Sequence, residues 1–357
     1  MKREYSGLEI LRFLCAVSVL VWHYQHFFML TPDQLPFDFH REVQPFYSEL
    51  GYLYIYGHYG VEIFFEISGF IFFWKYKDDI HSGRVNSWRF FILRFSRLYP
   101  LHFATLIFVA IFQWGYISRN GISFVYPYND SYHFILNLVF ASHWGLQKGF
   151  SYNAPIWSVS LEVIAYAVFF IGARLSKLSL MHTFCILISV YAIEKVVYPG
   201  NDIFQCLRYF FIGGGIYLVG KKSENIAVKY RVPFLLLIVL SSLYCFLSFV
   251  GKAQALSFAL FSSGLLALFS MVESAIKGIN IAKYASVFGN LTYSSYLCHF
   301  PIQLVLVSIT DALAIDRTIY LRPLVFMTFI VGTLVVSHLV YRYFETTAQA
   351  RIRAIWS

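Results

Sequence analysis

The sequence predicts an all-α, polytopic membrane protein with about ten transmembrane helices in one bundle and both termini in the cytoplasm. Of its 357 residues, 58% are hydrophobic and only 13% are charged, and the mean hydropathy is +0.61. A globular domain needs polar side chains to cover its surface, so this composition excludes a water-soluble enzyme. The 38 Phe and 27 Tyr residues exclude a disordered chain, because disordered chains are poor in aromatic side chains.

Apolar runs long enough to cross a hydrocarbon core of about 30 Å recur along the whole chain. They lie near residues 7 to 29, 55 to 74, 97 to 117, 156 to 173, 179 to 198, 203 to 220, 232 to 250, 254 to 273, 287 to 310 and 322 to 344. With these crossings, most of the 28 Lys and Arg residues fall in cytoplasmic segments, as the positive-inside rule requires. A further crossing at residues 131 to 146 would invert the basic loops after residue 173. We therefore predict that residues 131 to 146 lie at the outer face of the membrane.

We expect no bound metal ion, no nucleic-acid partner and no second domain. The five cysteines lie in apolar stretches and form no CxxC pair, which argues against a metal site or a disulfide framework. The net charge of +9 fits basic cytoplasmic loops, so we expect no nucleic-acid partner. No linker or internal repeat marks a second domain, and residues 1–357 are predicted to form a single integral-membrane domain.

The first predicted helix carries two ionisable residues, Arg12 and His23. They are eleven residues apart, about three turns, so they share one helix face and lie about 16 Å apart along the axis. An ionisable group inside a bilayer is costly and is a functional candidate by default. The alternative is that Arg12 reaches the headgroups and His23 is an interfacial histidine satisfied by a neighbour.

The second predicted helix carries His58, Glu62 and Glu66 at intervals of four, which predicts a polar column on one side. Two carboxylates one turn apart in a low dielectric do not both ionise readily unless a cation is close. The alternative function of the column is a structural ion pair between helices. Ser68 follows as part of a small, close-packing step.

A dense basic stretch follows, and in it Arg94 and Arg97 lie three residues apart on one helix face at the cytoplasmic mouth of the third helix. Such a pair suits bidentate capture of phosphate groups. The alternative is an anchor for anionic lipid headgroups.

The fourth predicted helix places Trp157 at the outer interface, with Ser158 and Glu162 on one face one to two turns into the membrane. Glu162 and His23 lie at comparable depth and are candidates for an acid/base pair.

Near the end of the chain, His299 is followed by Pro301, whose missing amide donor loosens the helix near the middle of the membrane. His299 is either a structural polar contact or a catalytic residue, and a structural contact is the commoner role of a lone histidine.

Five segments resemble, in order, the motifs of the membrane-bound acyltransferase 3 family. Its Arg-x10-His motif is matched by LEILRFLCAVSVLVWH, and its GVDxFFxxSGF signature by GVEIFFEISGFIF. Its RxxRxxP element is matched by RFSRLYP, its WSLxxE motif by IWSVSLEVIAY, and its YSxYLxHxP segment by YSSYLCHFPI. The matches span residues 8 to 302. Departures at Glu62, Glu66 and Cys298 bear on substrate preference rather than on reaction type.

The resemblance implies an O-acyltransferase that moves an acyl group from cytoplasmic acyl-CoA to a hydroxyl. The group is commonly acetyl in this family and sometimes succinyl or a longer acyl chain. Acceptors in the family are mostly sugars of surface or secreted glycans. His23 takes the position of the catalytic histidine and Glu162 that of the acid after Trp157, while Arg12, Arg94 and Arg97 are implied to bind acyl-CoA. His58, Glu62, Ser68, Trp157, Ser158 and His299 are candidates for binding substrate or supporting the site.

We therefore expect an O-acetyltransferase in a bacterial inner membrane, with acyl-CoA as co-substrate and no permanently bound cofactor or metal. Its partners would be a glycan or lipid-linked saccharide and the lipid bilayer, and the sequence is compatible with a homo-oligomer. An extracellular esterase-like domain, present in some relatives, is not expected in a chain that stops at Ser357. Direct transfer and an acyl-histidine relay both stay open. A proton-coupled secondary transporter and a scaffold without turnover are the alternative functions.

Overall fold

The computed structural model describes residues 5–36, 39–198, 200–271 and 281–356, and the regular structure in them is helical. The helices are α1 Ser6–His23, α2 Tyr47–Tyr56, α3 Gly60–Lys75, α4 Lys77–His81, α5 Ser87–Asn120, α6 Ser131–Leu138, α7 Ile156–Leu175, α8 Leu180–Val196, α9 Asp202–Lys222, α10 Val228–Ser248, α11 Lys252–Phe269, α12 Ile281–Ala312, α13 Pro323–Leu339 and α14 Thr346–Trp356. A 3-10 turn, Tyr24–Phe28, extends α1, and a π-helical turn, Val340–Glu345, joins α13 to α14.

Seven helical segments in the described part of the chain are long and apolar enough to cross a membrane. They are Ser6–Phe28, Ser87–Asn120, Ile156–Leu175, Asp202–Lys222, Val228–Ser248, Lys252–Phe269 and Pro323–Trp356. Helices α3, α8 and α12 coincide with the other three predicted crossings. The prediction of an all-α polytopic membrane protein is confirmed, whereas the count of ten crossings and the sidedness of the termini stay predictions. Residues 272 and 273 of one predicted crossing, and Ser357, lie outside the described residues.

The stretch predicted to lie at the outer face forms the short helix α6. Its eight residues span about 12 Å, less than half of the hydrocarbon thickness. Asp130 caps its first turn by accepting a hydrogen bond of 2.8 Å from the main-chain N–H of His133. A helix of this length cannot cross the membrane, which agrees with the prediction.

The predicted second helix starts later than expected. A 3-10 turn, Gly57–Tyr59, separates α2 from α3, so His58 lies before α3 while Glu62 and Glu66 lie within it. The continuous column of three side chains on one helix was therefore wrong. The turn packs closely at Gly57, where a Cβ would lie 2.3 Å from the carbonyl oxygen of Ser18. The Ser18 hydroxyl in turn donates to the Gly57 carbonyl over 3.1 Å.

The chain divides into two compact units, and α1, α3, α7 and α12 contribute residues to both. Unit 1 comprises Met1–Cys15, Val61–Asn86 and Ile164–Gly289. In it, glycines bring the backbones of α3 and α9 into direct contact. A Cβ at Gly69 would lie 1.7 Å from the carbonyl oxygen of Phe210, and one at Gly213 would lie 1.8 Å from that of Glu66. This small-residue contact fits the close-packing step predicted beside Ser68.

Unit 1 also contains an ion pair between two predicted membrane crossings. The Arg208 guanidinium of α9 donates to the Glu194 carboxylate of α8, whose side chain is 5% exposed. Because each charge offsets the other, the pair accounts for Arg208 at a position where an unpaired cation would be costly.

Unit 2 comprises Ala16–Gly60, Ser87–Val163 and Asn290–Ser357. Its core is rich in aromatic rings contributed by the 3-10 turn after α1, the loop before α6, α12 and α13. Phe27 stacks on Tyr320 with ring centroids 4.1 Å apart, and the Tyr24 hydroxyl donates to the Tyr320 carbonyl over 2.7 Å. These contacts anchor the C-terminal end of α1, where His23 lies.

Candidate active site

Three histidines meet inside unit 2. His23 ends α1, His26 follows in the 3-10 turn, and His299 lies on α12. The His23 ring centroid lies 4.9 Å from that of His26 and 4.7 Å from that of His299. The three residues are 8%, 3% and 0% exposed, so the cluster is shielded from bulk water. In the part of the chain that the structure describes, no group of three or more metal-binding side chains is arranged to hold an ion.

Hydrogen bonds fix the tautomer of His23. Its Nδ1 lies 2.9 Å from the carbonyl oxygen of Val19, one turn earlier in α1. Because a carbonyl only accepts hydrogen bonds, the neutral imidazole carries its proton on Nδ1 and a lone pair on Nε2. His299 is held in the same way, with Nδ1 3.3 Å from the Ser295 carbonyl. The Nε2 atom of His23 is therefore available as a proton acceptor.

Helix α12 presents His299 beside a proline. Pro301 has no N–H, so the carbonyl of Leu297 loses its partner in the helix. The Asn153 side chain, which is fully buried, donates to that carbonyl over 3.0 Å. The loop before α7 thus supplies the hydrogen bond that the proline removes.

We expect Asn153→Leu to lower the free energy of unfolding by about 1–3 kcal/mol, because the Leu297 carbonyl is then buried without a donor. In a Pro301→Ala background the new N–H can restore the helical bond, so the cost of Asn153→Leu should shrink by at least about 0.5 kcal/mol. Unfolding in detergent of the wild type, the two single variants and the double variant measures this coupling. Equal costs in both backgrounds would show that Asn153 does not replace the missing helical bond.

Helix α7 carries the other predicted residues of the outer side. The Ser158 hydroxyl and the Tyr296 hydroxyl, on α12, are 2.8 Å apart. The half-buried Trp157 ring lies 5.2 Å from the ring of His143, an aromatic contact outside the histidine cluster. Glu162 is half-buried one turn after Ser158, and its pairing with His23 stays a prediction.

The predicted arginine pair lies on α5, and Arg97 has a partner that the sequence did not reveal. Its guanidinium donates to the carboxylate of Glu345, at the end of the π-helical turn, whose side chain is 2% exposed. The second Glu345 oxygen accepts from the Ser294 hydroxyl over 2.7 Å. Arg97 also lies 5.8 Å from the centre of the Tyr293 ring. The Arg97 charge is thus compensated within the protein.

The other two arginines predicted to bind acyl-CoA are Arg94 on α5 and Arg12 on α1. Arg94 is half-buried one turn before Arg97 on α5. Arg12, on the part of α1 that belongs to unit 1, pairs with Glu9 over 3.2 Å, and both side chains are partly exposed. Arg12 and Glu9 are three residues apart on one helix, a spacing at which side chains of opposite charge pair. Binding of acyl-CoA by these arginines stays a prediction.

In unit 1, uncharged side chains donate hydrogen bonds to the carboxyl groups of Glu62 and Glu66 on α3. Glu62 accepts from the Gln205 amide over 2.9 Å, and Glu66 accepts from the Ser262 hydroxyl over 2.8 Å. Within the described residues neither carboxyl forms an ion pair, so the structural ion pair considered as an alternative is not found there. The Ser68 hydroxyl lies 3.4 Å from that of Tyr166.

His58 lies in unit 2, in the 3-10 turn before α3. Its ring contacts the Trp22 ring at 5.4 Å and the Tyr59 ring at 4.4 Å between centroids. It joins an aromatic cluster next to His23, since the Trp22 and His23 rings are 4.7 Å apart.

An apolar cavity of about 510 Å³ lies beside α12, lined by residues of α5, α12, α13 and the π-helical turn. Cys298 and Pro301, which flank His299, are among its walls. Walls of this kind suit a hydrocarbon chain and not a charged group.

The family model of the acyltransferase domain, acyltransferase 3, matches residues 5–342. Searches of curated proteins and of solved structures return no match to the chain. The matched range includes α1 with Arg12 and His23, both arginines of α5, Glu162 of α7 and His299 of α12. Since the family model covers nearly the whole chain, this multi-pass membrane protein belongs to the acyltransferase 3 family.

Proposed function

We propose that the protein is an O-acyltransferase that moves an acetyl group from cytoplasmic acetyl-CoA to a hydroxyl of a glycan or glycolipid at the outer face of a bacterial inner membrane. Family membership implies an acyl donor and an acceptor. The observation that carries the proposal is the state of His23: a buried imidazole whose Nδ1–H is held by a carbonyl and whose Nε2 bears a lone pair. This is the arrangement that a general base needs.

In the proposed reaction, His23 Nε2 removes the proton of the acceptor hydroxyl while the hydroxyl oxygen bonds to the thioester carbonyl carbon. The bond between that carbon and the CoA sulfur breaks, and the imidazolium returns the proton to the leaving thiolate. Glu162 is proposed to stabilise the charged form of the imidazole, whose orientation the Val19 carbonyl sets. Ser158, hydrogen-bonded to Tyr296, and Trp157 are proposed to contact the acceptor. A relay through acetyl-His23 uses the same lone pair as nucleophile.

The phosphate groups of CoA are proposed to bind Arg94 and Arg97, with Arg12 as a further cation. A guanidinium has five N–H donors, and the bond from Arg97 to Glu345 uses Nη1. Arg97 can therefore contact Glu345 and a phosphate at the same time. Glu345 then holds the guanidinium in place rather than competing with the donor.

The test compares surface polysaccharide from bacterial cells that express the protein with polysaccharide from cells that lack it. Mass spectrometry should detect an ester-linked acetyl group on one sugar only when the protein is present. Purified protein in nanodiscs should release CoA from acetyl-CoA when a glycolipid extract is added. Identical polysaccharides and no CoA release would contradict the proposal, and solute flux without acyl chemistry would favour a transporter.

A further inference from the structure

The Gln303 side chain links two of the three clustered histidines. It lies on α12, one turn after His299, and is fully buried. Its Nε2 donates to the main-chain carbonyl of His23 over 2.9 Å, and its Oε1 lies 3.1 Å from Nδ1 of His26. One amide thus bonds to both ends of the segment in which α1 turns into the 3-10 turn.

The direction of the amide determines where His26 carries its proton. With Nε2 donating to a carbonyl, Oε1 is the atom that faces His26, and an amide oxygen only accepts. The neutral His26 imidazole therefore carries its proton on Nδ1 and a lone pair on Nε2.

The other tautomer of His26 would interfere with His23. The two rings are in edge contact with centroids 4.9 Å apart, so a proton on His26 Nε2 would place a second hydrogen-bond donor beside the His23 imidazole. A donor beside this ring competes with the acceptor hydroxyl for the lone pair of His23 Nε2. His299 poses no such competition, because its own proton is directed to the Ser295 carbonyl.

We infer that Gln303 is a positioning residue: it holds the main chain of His23 and keeps the proton of His26 on Nδ1, which leaves His23 Nε2 for the acceptor. The inference rests on the proposed role of His23. It assigns a function to a residue whose type and position in the sequence carried no signal.

The tautomer is measured directly by solid-state NMR of protein labelled with ¹⁵N-histidine, in which the His26→Asn variant assigns the His26 signals. The wild type should show a protonated Nδ1 and a bare Nε2 at His26. In Gln303→Leu a fraction of His26 should carry its proton on Nε2. A protonated Nε2 in the wild type, or an unchanged tautomer in the variant, would overturn the inference whatever the activity of the protein.

The second test measures kcat and KM of acetyl transfer, with acetyl-CoA as donor and a bacterial glycolipid extract as acceptor. Gln303→Leu should lower kcat about tenfold while KM for acetyl-CoA stays within about twofold, because the change affects the base and not donor binding. An unchanged kcat would overturn the inference.

Gln113→Leu is the matched control. Gln113 is also buried, and its amide also makes two hydrogen bonds, both to the main chain of Phe124. This control should lower the melting temperature and keep kcat within about twofold. A kcat loss equal to that of Gln303→Leu would mean that any broken buried amide lowers activity, and would overturn the inference. If the wild type transfers no acetyl group, the proposed function fails, while the NMR result still decides the role of Gln303.

Discussion

Replacing His23 with glutamine is expected to lower the rate of acyl transfer by about 10²–10⁴-fold while the protein stays folded. Glutamine keeps much of the size of the imidazole, but it offers no basic lone pair. The loss should appear in kcat, since His23 is not among the residues proposed to bind CoA. Acetyl transfer by purified protein in nanodiscs measures the effect.

His102→Gln is the control for this variant. His102 is also buried in unit 2, where its Nε2 donates to the Asn137 carbonyl over 2.7 Å and its ring stacks on Phe140. Its loss should reduce stability and leave the kcat of the folded protein close to that of the wild type. A His23→Gln protein as active as His102→Gln would remove His23 from the reaction.

The second large effect concerns the buried ion pair of Arg97. Arg97→Ala should lower the free energy of unfolding by about 3–5 kcal/mol, because it leaves the Glu345 carboxylate without its cation. The loss in free energy of unfolding is large because the Glu345 side chain is only 2% exposed. Arg84→Ala, which breaks an exposed pair with Asp79, should cost no more than about 1 kcal/mol. Unfolding in detergent at one pH compares the two variants.

Removing both charges separates the structural role of Arg97 from its role toward the donor. The double variant Arg97→Met, Glu345→Met should recover most of the stability, because no unpaired charge stays buried. If Arg97 also binds CoA phosphate, KM for acetyl-CoA should stay raised in this stable variant. Equal costs for Arg97→Ala and Arg84→Ala would contradict the buried pair, and a wild-type KM in the double variant would contradict donor binding.

Composition and apolar periodicity predicted most of the helices, because in a membrane each crossing must be apolar over its own length. Helix ends that are fixed by tertiary contacts were less predictable. In the turn that separates α2 from α3, Gly57 packs against the backbone of Ser18, a residue far away in the sequence. A local apolar pattern contains no trace of that contact.

Within the site, the sequence identified the residues that are chemically costly in a bilayer, among them His23 and His299. It did not identify their partners. Asn153 bonds to a residue 144 positions away, and Glu345 pairs with Arg97 across 248 positions. The sequence predicted that Pro301 loosens its helix, but not that the neutral side-chain amide of Asn153 replaces the lost hydrogen bond. A neutral amide is not marked by charge or by hydropathy.

Mass spectrometry of the acceptor glycan after incubation with isotopically labelled acetyl-CoA is the most direct measurement of His23 chemistry. We expect label on the glycan with the wild type and with His102→Gln, and none above background with His23→Gln. If His23→Gln labels the same sugar at the wild-type rate, the claim that His23 is the general base is contradicted.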